Sequence, residues 1–229
     1  MIEGSFPKFI ESLSRDFIPV VDAKFSKAAY VPIDLSIHAT NLKTLDVSSS
    51  SAFEAYIRKY VNIYGVKLAY GGYCEIRDIY RRSTHFNEKD PETERNIHLG
   101  IDIWCDAGTK VLAPLAGIVH SFKHNTNFGD YGPTIILEHN IQELTFYTLY
   151  GHLSMSSIAN LEIGQYFERG SVLAILGDAS VNGDYAPHLH FQIIKDLQGS
   201  KGDYPGVSNK RDIDFYVQNC PNPNLLLKI

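Results

Sequence analysis

The chain reads as a mostly β protein: an antiparallel β-sheet or open sandwich core with a small helical N-terminal region. Three observations predict this. After Gly65, short runs rich in β-branched and aromatic residues recur, each broken by Gly, Pro, Asn or Asp, the texture of strands joined by turns. Before Gly65, apolar residues repeat at helical spacing instead. The length of 229 residues, with 44% apolar and 21% charged, suffices for one sizeable core, or one core plus an appendage.

Taken in order, Phe9, Ile10, Leu13 and Phe17 predict a short amphipathic helix. The serines at 48–51 then offer an N-cap before AFEAYIRKYVNIY, and Gly65 stops that helix. Residues 1–64 are read as the helical N-terminal region and 65–229 as the β-rich domain. Strand candidates in the latter are VKLAYGGY, IHLGIDIW, GIVHSFK, TIILEH, LTFYTLYGHL, SVLAILG and LHFQII. The charged stretch NEKDPETERN (87–96) reads as a solvated loop.

Composition narrows the function classes. A formal net charge of −5, with no Lys/Arg cluster, gives no reason to expect nucleic acid as a partner. No apolar run approaches the ~18 residues of a membrane span. The N-terminus lacks the basic start, long apolar middle and small-residue cleavage site of a signal peptide. A cytoplasmic location is therefore expected, or a periplasmic or secreted one if a leader has been removed. Cys74, Cys105 and Cys220 are odd in number and widely spaced, so they form neither a disulfide framework nor a Cys-type zinc knuckle. Each is expected to be a small buried hydrophobe.

Five residues carry the chemistry: His98 and Asp102 in HLGID, His152 in YGHL, and His188 and His190 in HLH. Side chains at i and i+2 share a strand face, so His188 and His190 should stand side by side, roughly 7 Å apart at their bases. That spacing suits one metal ligand beside one group that acts on water. Pro187 has no N–H for a ladder, so the strand is expected to begin just after it. A straight strand would hold His98 and Asp102 about 13 Å apart, too far for one ion. Gly100 between them allows a bend, placing His98 just before the strand and Asp102 on it. Two imidazoles and one carboxylate suit zinc and leave a fourth position for water. His38, His85, His120, His124 and His139 are read as ordinary satisfied polar residues.

In their order across one β-rich region, these motifs resemble the lysostaphin-type (LytM-like) zinc metallopeptidases, many of which cut peptidoglycan peptides. The matching stretches run from HLGIDIWCDAGTKVLAPLAGIVHSF through YGPTIILEH, TFYTLYGHLS and GQYFERGSVLAILGD to PHLHF. The resemblance implies a mostly antiparallel sheet with one zinc ion in a groove. It implies His98, Asp102 and His190 as zinc ligands, His152 and His188 as catalytic histidines, and a peptide substrate. A narrower resemblance, through GGYCEIRDIYRRS, GDYGPTIILEH and NCPNPNLLLKI, is to the peptidase-like segment that lies between a phosphotransferase-like region and a class III aminotransferase in some multidomain proteins.

The chain also departs from the family. Gln192 stands where Glu is frequent, and ASVNGDYAP replaces a Ser/Gly-rich loop before His188. Asp130, Tyr131, Asp184 and Tyr185 are expected to make the groove more acidic and aromatic. Gln192 reads equally as a surface strand residue, and the loop residues as turn formers.

The function expected is zinc-assisted hydrolysis of an amide, a metalloendopeptidase activity. With no HExxH glutamate, His152 and His188 are the candidate proton-transfer groups, in either order. The alternative is a non-catalytic zinc-binding module that recruits or regulates a partner. A third is a structural domain with a closed zinc site; that needs a fourth ligand, and Cys105, three residues past Asp102, faces the opposite side of a strand.

Overall fold

A computed structural model describes residues 5–22, 24–83, 86 and 90–229. His85 and the first three residues of the charged stretch at 87–96 lie outside the described residues. Of the rest of that stretch, residues 90–92 are exposed, but Glu94 is buried against Arg81.

Twelve strands occur among the described residues: β1 (Tyr30–Pro32), β2 (Leu68–Gly71), β3 (Ile97–His98), β4 (Ile101–Trp104), β5 (Lys110–Leu112), β6 (Gly117–Asn125), β7 (Gly132–Ile141), β8 (Leu144–Gly151), β9 (Tyr166–Phe167), β10 (Val172–Ile175), β11 (His188–Ile194) and β12 (Val207–Ser208). Eight form one sheet in the order β1-β2-β4-β11-β8-β7-β6-β9. Its pairings are antiparallel except β1 with β2, which is parallel. Two small ladders, β5–β10 and β3–β12, complete the strands.

Alternation along each strand gives the sheet two different faces. Ile101 and Ile103 of β4, Leu189, Phe191 and Ile193 of β11, and Phe146 and Tyr150 of β8 point into the main core. Val111, Leu173 and Ala174 of the β5–β10 ladder close that core as a second layer. On the opposite face lie two smaller apolar clusters. One gathers Ile33, Leu35, Phe53, Ile57 and Trp104; the other gathers Tyr131, Ile136, Leu149, Ile194 and Tyr204. The same face of β4 and β11 carries Asp102, His188, His190 and Gln192, so β11 is buried on both sides.

The N-terminal region holds two α-helices, α1 (Phe6–Ser12) and α2 (Ser50–Ile63). In α2, Ser49 accepts from the Ala52 N–H as its cap, and Gly65 follows at φ +64°. Phe53, Ile57 and Val61, one helical face, pack toward Trp104. The region is less helical than its periodicity suggests. α1 ends before Phe17, and the chain then runs extended, with Ile18, Val20 and Val21 buried in the main core. The proline at position 19 supplies no N–H to continue a helix. Burial in the core then outweighs the local helical pattern. Further on, β1 joins the main sheet as its edge. No helix among the described residues is long and apolar enough to cross a membrane.

Candidate active site

β3 ends at His98 and β4 begins at Ile101, so the chain breaks its extension at Leu99-Gly100 between the two polar residues. A side chain at Gly100 would run into the His190 ring, with Cε1 and Nε2 both 2.6 Å from a Cβ placed there. The glycine therefore lets β3 fold back over β11. β11 starts at His188, directly after Pro187, and sets His190 opposite Asp102 on β4 and Gly151 on β8.

These pairings bring the ligand-type atoms of His98, Asp102 and His190 within 4.8 Å of one another, all buried. His98 Nε2 lies 2.9 Å from His190 Nδ1, and Asp102 Oδ1 lies 3.2 Å from each. The remaining ring nitrogens set the tautomers. His98 Nδ1 donates to the Gly72 carbonyl at 2.8 Å, and His190 Nε2 to Gln192 Oε1 at 3.0 Å. Both facing nitrogens are then lone pairs, converging with a carboxylate oxygen and no proton among them. Three acceptors in van der Waals contact repel unless a cation sits between them, and two imidazoles with one carboxylate are a donor set that fits zinc.

Beside this trio stand His152 and His188, their ring centres 4.2 Å apart. His188 Nδ1 donates to the Ala186 carbonyl and His152 Nδ1 to the Asn182 carbonyl, both at 2.8 Å, which leaves each Nε2 as an acceptor. His188 Nε2 is 3.8 Å from Asp102 Oδ1, and its ring stacks on Trp104 at 4.0 Å. His152 occupies a left-handed backbone conformation, φ +63°, uncommon for a side-chain-bearing residue. Its N–H to the Tyr131 carbonyl and its carbonyl to the Gly177 N–H hold it there.

Burial governs the electrostatics. It pushes His188 down to about 4 and His152 well below the usual imidazole range, so both are neutral at pH 7. His98 is likewise lowered to about 4 by burial. For Asp102, burial opposes the charge, but neighbouring His98 and Arg77 outweigh it and hold the carboxyl well below its ordinary value.

The five residues open into a cavity of about 580 Å³. Asp130, Tyr131 and Tyr185 line it as expected, whereas Asp184 turns away and accepts from Ser50 Oγ at 2.8 Å. Gln192 is fully buried rather than on the surface; its Nε2 donates to the Pro205 carbonyl at 3.1 Å, which fixes Oε1 toward His190. Two residues of the site escaped the sequence reading. Trp104 had a signal, lying two residues past Asp102 on the same strand face. Arg77 had none; it is 3% exposed and donates to Asp102 Oδ2 from outside the motif region. Of the remaining histidines, His139 is a core residue between the Ala116 carbonyl and Thr148 Oγ1. Cys220 is buried and Cys105 half-buried, but Cys74 is exposed.

Comparison with known proteins finds similarity over part of the chain. Residues 96–203 match peptidase family M23. Among solved structures, the catalytic domain of the antimicrobial peptidase lysostaphin from Staphylococcus simulans shares 25% identity, covering 53% of this chain and 80% of that one, at a TM-score of 0.38. A catalytic-domain variant of the prophage-encoded M23 protein EnpA from Enterococcus faecalis shares 20% identity over 56% and 87% of the two chains, at 0.37. Helicobacter pylori Csd3 shares 20% over 52% of this chain but only 31% of its own, at 0.33. No curated protein matches. The matched segment contains His98, Asp102, His152, His188 and His190, so all five residues of the site fall in the part of the chain that matches peptidase family M23.

Proposed function

We propose that this chain is a zinc-dependent metallopeptidase that hydrolyses an amide bond of a peptide, of the peptidoglycan type or related to it. The observation that carries the reading is the convergence of three proton-free acceptors, from His98, Asp102 and His190, beside two neutral histidines in one cavity. Zinc held by those three residues would polarise the scissile carbonyl and acidify the attacking water.

The chain's own groups do the rest. His152 and His188 each present an unprotonated Nε2 to the cavity, fixed by a backbone carbonyl at Nδ1. One takes the proton of the attacking water at Nε2 and returns it to the leaving amine as the C–N bond breaks; the other, on taking a proton from solvent at Nε2, hydrogen-bonds the developing oxyanion. Trp104 and Tyr185 pack their rings on His188 and His152 and limit water around them. The division of the chain belongs to the same proposal: residues 65–229 supply the chemistry, and residues 1–64 supply a wall of the cavity through Leu35, Ile37, Leu42 and Phe53.

Elemental analysis of the purified chain should find about one zinc, and His190→Ala should lose most of it. His152→Ala and His188→Ala should keep the metal and lose ~10²–10⁴ in hydrolysis of a susceptible peptide. Full zinc retention by His190→Ala under mild chelation overturns the ligand set. Zinc binding with no cleavage of wall-derived or other peptides would turn the reading to a zinc-binding module that recruits a partner.

A further inference from the structure

We propose that Arg95 anchors a carboxylate of the substrate, so that the peptides this site accepts carry a negative group a short distance from the bond that is cut. The proposal rests on the reading of the cavity as a peptide-cleaving site and names the chemistry of what it selects.

The charges around the cavity are unequally spent. Its acids are engaged: Asp78 pairs with Arg81 at 3.2 Å, Asp203 with Lys123 at 3.6 Å, and Asp102 with Arg77. Asp130 accepts from the Tyr131 N–H at 2.8 Å and from Asn127 Nδ2 at 3.2 Å. The arginines differ. Arg77 spends its guanidinium on Glu75 and Asp102, and Arg82 spends its own on the carbonyls of Ser48, Gly183 and Asp184. Arg95 gives only Nε, to the Val207 carbonyl at 3.1 Å, and has no acidic partner among the described residues.

Arg95 is nevertheless held in place. Its Cζ lies 5.1 Å from the centre of the Phe86 ring, and the Nε bond fixes the plane. Both contacts leave the Nη1/Nη2 edge unspent. That edge is a planar fork matched to the two oxygens of a carboxylate. Its position follows from the ladder: Val207 lies directly across from His98 in the β3–β12 pair, and adjacent strands are about 5 Å apart. Arg95 and the trio line the same cavity, so a short extended peptide held at the trio can reach the fork. Arg82, by contrast, satisfies that edge within the protein, on the carbonyls of Ser48, Gly183 and Asp184.

The test uses the full chain and three probes: acetyl-tetraglycine, its C-terminal amide, and the amide with one glycine replaced by glutamate. Binding is measured by calorimetry and cleavage by chromatography, for the wild type, Arg95→Gln and Arg95→Lys. The wild type should bind a carboxylate-bearing probe on the order of tenfold more tightly than the plain amide. The preference should vanish in Arg95→Gln, survive in part in Arg95→Lys, and weaken with salt. Which charged probe gains separates a terminal from a side-chain carboxylate. Equal binding of all three, no binding of any, or a preference undiminished in a folded Arg95→Gln overturns the proposal. Cleavage of all three with equal KM would leave the peptidase reading standing without it. Carboxylate-dependent binding with no cleavage would do the reverse.

Discussion

Arg77 donates from Nη1 to Oδ2 of Asp102, and the carboxylate thereby turns Oδ1 toward His98 and His190. The same guanidinium donates from Nε to Glu75, whose other oxygen accepts the Leu35 N–H at 2.9 Å. A continuous chain of charged hydrogen bonds thus runs from the N-terminal region to the trio. Both partners of the Arg77–Asp102 pair are almost wholly buried, with side chains 4% and 2% exposed. Removing one partner of such a pair strands the other's charge away from water. In metal-free protein, Arg77→Met should cost about 3–5 kcal/mol of stability. Arg77→Lys, which keeps the charge but not the fork, should lose less. Urea unfolding in the presence of a chelator measures both. A methionine variant within ~1 kcal/mol of wild type would show that the pair contributes little.

Gln192 sets the tautomer of His190, and its effect should appear in metal affinity. Gln192→Leu removes the acceptor at His190 Nε2 while keeping an apolar side chain of similar length. Loss of such an outer partner typically weakens binding about 10–100-fold. Gln192→Glu keeps the acceptor and adds charge, so it should bind zinc at least as tightly as the wild type. Competition against a chromophoric chelator reads both affinities. An unchanged affinity in the leucine variant would undo the tautomer argument and weaken the case for three converging lone pairs.

Acid should destabilise the chain through a histidine remote from the site. His139 is buried in the core, and burial lowers it from 6.5 to about 4. Between those values the unfolded chain holds a proton that the folded chain lacks. Stability is therefore full above about pH 6.5 and falls as the pH drops toward 4, by as much as about 3 kcal/mol for this one group. His98, His152 and His188 act in the same direction in metal-free protein, so the comparison must be with His139→Gln. That variant should show a shallower fall in unfolding midpoint between pH 6.5 and 4. Parallel acid limbs would remove His139 from the account.

Much of the site could be read from the chain because its information is local. The even spacing of His188 and His190, the proline before them and the glycine between His98 and Asp102 each fix a backbone feature by short-range sterics. Gln192 was open to the same logic, since it is two residues past His190 on that strand face, although its sequence fits a surface position equally well. Arg77 lies 25 residues before Asp102, and the contact depends on the antiparallel pairing of residues 74–77 with residues 96–98 and the turn at Gly72. Such a pairing leaves no period or motif. The extended segment around Ile18 to Val21 was hidden for a related reason. Its burial is decided by a core built from β4, β7, β8 and β11, whereas its own residues display only a run of apolar side chains.

That burial decides what removal of the N-terminal region should do. A chain beginning at Val66 loses Phe9, Ile10, Ile18, Val20 and Val21 from the main core and Phe53, Ile57 and Val61 from the cluster around Trp104. It also loses β1, which uncovers the edge of β2, and the Phe6 and Phe9 rings that lie 5.9 and 5.8 Å from Phe146. Each large side chain is worth about 1.5–3 kcal/mol when fully buried, so their joint loss matches or exceeds the whole net stability of a typical domain, about 5–15 kcal/mol. The shortened chain should therefore be insoluble or unfolded, rather than a freed and faster enzyme. Expression with a solubility partner, its removal, and near-ultraviolet circular dichroism would decide this. A folded fragment that cleaves a small peptide faster than the full chain would instead make residues 1–64 an inhibitory cover over the cavity. A folded fragment with unchanged stability and rate would mean that the packing of this region against the main core contributes nothing to the fold.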